Sequence, residues 1–257
     1  MGKIESRKKE IVDLLVSQES MSVADLVQSL SVSEVTVRRT VRTMEKEGKI
    51  IRTHGGVKLY RKTIDYFFDK KFLLNVEKKK KIGERASELV GPNEVLLLDS
   101  GTTVLHLAQA IAYKIEGGRL AGLSVITNSL AVAEVLGDLC KVVLLGGQVR
   151  LFRRDVTGLV LEKNIRMFRA HKAFIGTDGV TAKDGLMTTD ELTSKVDEEM
   201  IRRSEQVILL ADSSKFDNPS FVSYAGLKDI DVIISDEGLK PEQRREYESA
   251  GVRLFVV

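Results

Sequence analysis

Seven short apolar runs constrain this chain more than any other feature: "EVLLLDSGTT", "LSVITNS", "KVVLLGG", "KAFIGTDG", "QVILLADSSK", "DVIISDEG" and "VRLFVV". Most of them end in a polar or glycine-containing turn. Amphipathic segments such as "VLHLAQAIA" and "SLAVAEVLGDL" lie between several of them. Runs that stay apolar at successive positions bury both faces of a strand. With helices between them they predict a mostly parallel sheet covered on both sides.

Ligands of such folds sit beyond the carboxyl ends of the strands, so the turns there are the candidate effector-binding residues. They are Asp99, Ser100, Gly101, Thr102 and Thr103 after the first run, and Thr127, Asn128 and Ser129 after the second. Gly146 and Gly147 follow the third, Gly176, Asp178 and Gly179 the fourth, and Lys215 lies after the fifth. Ser100 to Thr103 offer backbone N–H groups, hydroxyls and a helix N-terminus to an anion. Lys215 is placed to add positive charge, and Asp99 or Asp178 to accept hydrogen bonds from sugar hydroxyls. Any one turn reads as ordinary turn chemistry; five at one sheet edge read as a site.

The charge is uneven along the chain. Residues 1 to 81 hold 19 Lys and Arg against 11 Asp and Glu, whereas the whole chain has 40 against 37. A basic front on an acidic body implies that the front meets a polyanion. The run "EKKKK" (residues 77–81) contributes to that count as a solvated helix face. Cys140 is the only cysteine, and the three histidines have no ligand-like spacing, so neither a disulfide framework nor a metal or other cofactor is expected. No apolar run reaches about 18 residues and no secretory signal is visible, which points to the cytoplasm without membrane attachment.

The front itself parses into three helices and a hairpin. Ile4, Ile11, Leu14 and Leu15 fall at helical spacing. Ser22 is an N-cap with Asp25 as its capping-box partner, and Met21 and Leu26 are placed as a hydrophobic staple. Ser33 caps the next helix, stapled by Val32 and Val37. Only a tight turn separates the two, giving helix-turn-helix. In the second helix Val37, Val41 and Met44 should pack inward. That leaves Thr36, Arg38, Arg39, Thr40, Arg42 and Thr43, with the cap Ser33, to meet a DNA major groove, where Arg reads guanine edges and short hydroxyls reach phosphates or thymine methyls. The hairpin "GKIIRTHGGVKLY" then carries Arg52, His54, Gly55 and Gly56, the glycines allowing positive φ, as a basic wing on double-stranded DNA.

The segment "ESRKKEIVDLL … MSVADLVQSLSVSEVTVRRTVRTMEKEGKIIRTHGGV" resembles the winged helix-turn-helix of the DeoR family of bacterial transcription regulators. Residues 76–257, through "LDSGTT", "VITNS", "LLGGQ", "FIGTDG" and "LADSSKF", are similar to that family's sensor domain, related in fold to ribose-5-phosphate isomerase and coenzyme A transferases. The resemblance implies three parts: a DNA-binding domain over 1–60, a linker over 61–75, and a sensor and oligomerisation domain over 76–257. It also implies a phosphorylated sugar or polyol as effector, with "SGTT" on its phosphate, and a homodimer or homotetramer that represses a carbohydrate-use operon. Two positions depart from the family pattern. Thr40 stands where Asp usually follows the paired arginines, which bears on base preference. His171 stands where Asp usually precedes the lysine, and is expected on the surface at a strand start.

Three other functions are weighed against this one. An isomerase-like enzyme needs a base, an orienting group and an electrophile poised together, for which Asp178, Glu191 and Lys195 are the candidates. A sugar kinase is suggested by "DSGTT", but here a helix follows directly and a DNA-binding segment precedes it. A purely structural DNA-binding protein has little use for a large α/β body.

Overall fold

The computed structural model of the chain describes residues 3–18, 20–47, 50–53, 56–59 and 66–257. It divides into two compact units, Met1–Lys71 and Phe72–Val257. The first holds α1 (Lys3–Gln18), α2 (Val23–Leu30), α3 (Glu34–Lys46) and an antiparallel pair, β1 (Ile50–Thr53) and β2 (Gly56–Leu59). Helix α4 (Tyr66–Leu73) runs across the boundary, so residues 66–73 of the expected linker are helical.

Small domains need every apolar face paired, and this unit does so around one cluster. Ile11 and Leu15 of α1, Leu26 of α2, Val37, Val41 and Met44 of α3, and Ile50 and Val57 of the hairpin are all essentially buried. The α2 capping box forms, with Ser22 Oγ accepting from the Asp25 N–H at 3.1 Å and Asp25 accepting from the Ser22 N–H at 3.1 Å. Met21, just before that cap, exchanges two backbone hydrogen bonds with Val57 of the wing. A Cβ on Gly56 would lie 2.3 Å from the Met21 carbonyl oxygen. Glycine is therefore required there for close approach.

The second unit contains α5 (Val76–Ser87), β3 (Val95–Leu98), α6 (Thr102–Glu116), β4 (Ser124–Thr127), α7 (Leu130–Leu136), β5 (Lys141–Leu144), β6 (Gln148–Arg150), β7 (Asp155–Thr157) and α8 (Leu159–Ile165). It continues with β8 (Ala170–Ile175), β9 (Gly179–Thr181), β10 (Gly185–Thr188), α9 (Glu191–Arg202), β11 (Ser204–Leu210), β12 (Val222–Ala225), β13 (Val232–Ser235), α10 (Pro241–Ser249) and β14 (Arg253–Val256). The seven apolar runs are the seven strands of one parallel sheet, in the order β14-β13-β11-β8-β3-β4-β5. Antiparallel additions are β12-β10-β9 and the β6–β7 hairpin.

Both sheet faces are covered, which is what non-alternating strands require. Leu97, Ala173, Ile175, Leu209 and Ile233 pack with Leu161, Ile165, Val196, Met200 and Tyr247 of α8, α9 and α10. The alternate strand positions Leu96, Leu98, Phe174 and Ile208 are equally inaccessible. Helices α5 and α6 meet backbone to backbone, because a Cβ on Gly83 would lie 2.6 Å from the His106 carbonyl carbon. The lysine run on α5 is not wholly solvated as expected. Lys79 is buried, and Lys78 reaches Asp236 and Ser213, both at 2.9 Å. These contacts tie α5 to the ends of β11 and β13.

Candidate functional sites

In the first unit, α3 turns Val37, Val41 and Met44 inward and leaves Arg39 and Arg42 exposed. With Val35, Arg38, Thr43 and Lys46 they line one shallow groove along the helix. Arg38 is drawn along its own helix into an ion pair with Glu34 at 2.6 Å, and Thr43 Oγ1 donates to the Arg39 carbonyl at 3.0 Å. Thr40 is not on this face. It is 4% exposed, and its hydroxyl donates to the Thr36 carbonyl at 2.9 Å, so it cannot reach a base. Ser33 is the N-cap residue but makes no capping bond to the backbone; its hydroxyl pairs with that of Thr36 at 2.8 Å. Arg52, on the wing, lies 3.4 Å from Glu45 at the end of α3. His54 and Gly55 lie outside the described residues.

In the second unit, the chain leaves β3 toward β4 and β5 on one side, whereas β8, β11, β13 and β14 extend the sheet on the other. The crevice between the ends of β3 and β8 is therefore the topological switch point, where α/β sheets bind ligands. The turn Ser100–Gly101 leads straight into α6, and Gly101, at the N-cap, has no side chain to take up the first helical N–H groups. Those groups and the positive helix end face the turn.

Asp99 holds this crevice in shape. Its carboxylate accepts the Gly101 N–H and the Gly176 N–H, both at 2.6 Å, and the residue is 4% exposed. It is a clamp between the β3 and β8 loops and is not presented to a sugar. Burial raises its pKa to about 6; the two N–H bonds oppose the rise, and the Asp178 and Asp155 carboxylates add to it. Thr127 and Ser129 are likewise consumed by the fold. The Thr127 hydroxyl donates to the Leu98 carbonyl at 2.7 Å, and Ser129 caps α7 through the Val132 N–H at 3.2 Å. Asn128 donates to the Val156 carbonyl, leaving its buried Oδ1 with no hydrogen-bond partner. Thr103 is buried, whereas Ser100, Gly101 and Thr102 are partly accessible.

The remaining candidates divide. Gly176 lies in the crevice, its carbonyl accepting from the Tyr224 hydroxyl at 2.8 Å. Asp178 accepts from the hydroxyls of Thr188 and Thr189 and from the Thr189 N–H. Gly179 is buried in β9, where a Cβ would lie 1.9 Å from the Asn218 carbonyl oxygen, so its role is packing and not ligand contact. Gly146 and Gly147 are exposed beyond the outermost strand, β5. Lys215 ends a single 3-10 turn beyond β11. Its neighbours Asp212 and Ser213 are held by Asn75 and Lys78 of the α5 end. His171 is exposed at the start of β8, at the opposite end of the strand from the crevice, where its Nδ1 accepts the Val95 N–H at 2.9 Å. Of the isomerase candidates, Lys195 is 61% exposed and paired with Glu198, and Glu191 is exposed on the first turn of α9.

Four charged residues absent from the sequence reading complete the crevice. Arg150 grips Asp155 through two bonds, at 2.9 and 2.7 Å, and Asp190 through a third at 2.7 Å. Burial opposes ionisation of Asp190, but Arg150 and Thr193 overcome it and hold the carboxyl down at about 2. Asp155 in turn lies 3.4 Å from the Ser100 hydroxyl. Asp197, on α9, is 3% exposed; burial and then the Asp99 charge push its pKa well above the usual carboxylate range.

A raised pKa in the folded state means that stability is fully present below the unfolded value and is lost as pH rises through the folded one. Asp197→Asn should therefore raise the melting temperature at pH 7.5, by at least about 2 °C if the relief is ~1 kcal/mol. The gain should vanish near pH 4, where the wild-type carboxyl is already protonated. Thermal melts of both chains at the two pH values decide this, and an equal gain at both would rule out charge relief.

Among the described residues no three or more His, Cys, Asp or Glu side chains are placed to hold a metal ion, and no helix is long and apolar enough to cross a membrane.

Residues 7–63 match the DeoR-like helix-turn-helix domain, and residues 74–237 match the DeoR C terminal sensor domain. The chain is 33% identical to the HTH-type transcriptional regulator GlpR of Haloferax volcanii, covering 96% of each. It is 33% identical to the HTH-type transcriptional repressor GlcR of Bacillus subtilis, over 90% of this chain and 88% of the relative. A solved D-ribose-5-phosphate isomerase in complex with phospho-erythronic acid is similar at a TM-score of 0.43 and 15% identity, covering 55% of this chain and 54% of that one. The chain belongs to the DeoR family and is a DNA-binding transcription regulator with an N-terminal helix-turn-helix and a C-terminal sensor domain.

Proposed function

We propose that this regulator represses carbohydrate-use genes and is relieved by a phosphorylated sugar or polyol bound at the β3–β8 switch point. The observation that carries the reading is the turn Ser100–Gly101–Thr102: accessible, uncapped by any side chain, and leading into the 15-residue α6. Such a helix start binds phosphate through N–H groups and the helix dipole together. Gly176 and Asp178 border the same crevice from β8. Arg39 and Arg42 of α3, with Arg52 of the wing, contact operator DNA, and two or more copies hold their recognition helices in register on paired half-sites. The effector needs only to favour the DNA-incompetent arrangement by roughly 1–3 kcal/mol to change operator affinity several-fold to about a hundredfold.

A melting-temperature screen of phosphorylated sugars and polyols beside their unphosphorylated parents tests this. A ligand at 100 times its dissociation constant stabilises the native state by about 2.7 kcal/mol, a shift of roughly 5–10 °C for a domain of this size. Thr102→Glu places a carboxylate where the phosphate belongs, so it should abolish the shift while leaving DNA binding unchanged and unrelieved by the effector. A shift with unphosphorylated parents as large as with the phosphates would remove the phosphate from the account.

A further inference from the structure

Fourteen large apolar side chains are exposed among the described residues, and six of them fall between residues 144 and 160. They are Leu144, Val149, Leu151, Phe152, Leu159 and Val160, each between 43% and 66% exposed. They sit on the end of the edge strand β5, on the β6–β7 hairpin and its connecting turn, and on the first turn of α8. The hairpin pairs Gln148 with Thr157 and Val149 with Val156, which brings the two halves of the segment side by side. A patch of this kind is at the upper end of what a monomeric protein leaves open to water, and patches of that size are often functional.

The charged residues of the same segment are buried or only partly exposed. Arg150 and Asp155 are buried against each other, Arg153 is 13% exposed and points to Asp155, and Arg154 pairs with Glu134 of α7. The exposed residues of the segment are thus apolar side chains, two glycines and Gln148, with no charged residue among them. This matters for what can cover it. In a two-fold contact a surface meets its own copy, so any charge near the axis meets a like charge; a face with none is compatible with itself. The area also fits: six such side chains offer on the order of 600 Å² per copy, and pairing two faces buries ~1,200 Å², the lower bound of a stable specific interface.

We propose that this face, formed by residues 144–160, docks against the same face of a second copy of the chain. The inference deepens the reading that two copies act together on DNA, and it adds a link. The inner side of the segment carries Arg150 and Asp155, and Asp155 touches Ser100 of the phosphate turn. One short segment is therefore both the contact between copies and a wall of the effector crevice.

The test is the mass of the full-length chain in solution, by light scattering after size exclusion and by sedimentation equilibrium. The wild-type chain should be a dimer or a multiple of one. Phe152→Glu with Leu159→Glu should raise the dissociation constant for one pairwise contact by at least about 100-fold, with circular dichroism unchanged because both side chains already face water. Val149→Lys, a single change, should act in the same direction and guards against a folding failure of the double variant. Phe221→Glu, at a 74% exposed side chain outside the patch, should leave the mass unaltered. A monomeric wild type would overturn the proposal together with the paired-copies reading it rests on, whereas an associated wild type whose variants keep its mass would overturn this face alone. The sugar-phosphate melting shift tests the effector reading separately.

Discussion

Arg150→Met should lower the stability of the sensor unit by about 3–5 kcal/mol, the range for removing one partner of a buried ion pair. The reason is what remains. Asp155 is 1% exposed, and without the guanidinium its charge is left, among the described residues, with the more distant Arg153 at 3.9 Å. At about 2–4 °C per kcal/mol the melting temperature should fall by roughly 6–20 °C at pH 7. Two further results follow from the same geometry. Arg150→Met with Asp155→Asn removes both charges and should recover much of the loss, because a buried pair replaced as a whole is close to neutral. Asp190, held down at about 2 by Arg150 and Thr193, contributes stability that is present above its unfolded value near 4 and lost as pH falls through about 2. The gap between wild type and Arg150→Met should therefore narrow over that window. Melting curves between pH 2 and pH 7 measure all three, and a variant as stable as wild type at pH 7 would show that the network carries little.

Arg39→Ala should weaken binding to operator DNA by roughly 10- to 100-fold, equivalent to the 1–3 kcal/mol carried by a good base contact. Arg39 is exposed on the groove face of α3, while Val37, Val41 and Met44 on the opposite face hold the helix in place. The loss should therefore come without a change in melting temperature. Arg38→Ala is the informative comparison. Arg38 is already paired with Glu34 along the helix, so its removal should cost less. Fluorescence anisotropy against salt separates the roles. A phosphate contact lowers the salt slope by about one and weakens all sequences equally, whereas a base contact weakens only the operator. Equal small losses for both variants would place the recognition contacts elsewhere on the unit.

The seven-stranded sheet was legible because parallel strands buried on both faces leave an unmistakable record: runs such as Val95–Leu98 with no polar alternation, most of them closed by a turn. The strands that were not legible are β6, β7, β9, β10 and β12. They are three or four residues long and mixed in composition, as in Gln148–Val149–Arg150; β6–β7 and β9–β10 are short local hairpins, and β12 joins β10 from well along the chain. The site shows the same division. The Ser100–Thr103 turn announces itself by small polar residues between a strand and a helix. Nothing local marks Arg150, Asp155, Asp190 or Asp197, which are ordinary charged residues until the fold buries them together. Thr40 is a different case. Its spacing of three from Val37 and four from Met44 puts it on the buried stripe; its hydroxyl concealed a position that helical periodicity alone assigns to the core. Asp99, Thr127 and Ser129 have the chemistry of ligand contacts, yet nearby backbone groups, at Gly101 and Gly176, Leu98 and Val132, occupy them first.

The missing side chain at Gly83 has a mechanical consequence. Between most packed helices lies a layer of side chains that can change rotamer and absorb a small displacement. Between α5 and α6 that layer is absent where Gly83 meets His106. On the same turn of α6 the His106 ring stacks on Phe72 of α4, with centroids 4.8 Å apart and planes 8° from parallel. Any ångström-scale movement imposed on the first turn of α6 has no slack to disappear into. Such a movement meets the α5 backbone at Gly83 and the Phe72 ring directly, with no intervening layer of side chains to take it up.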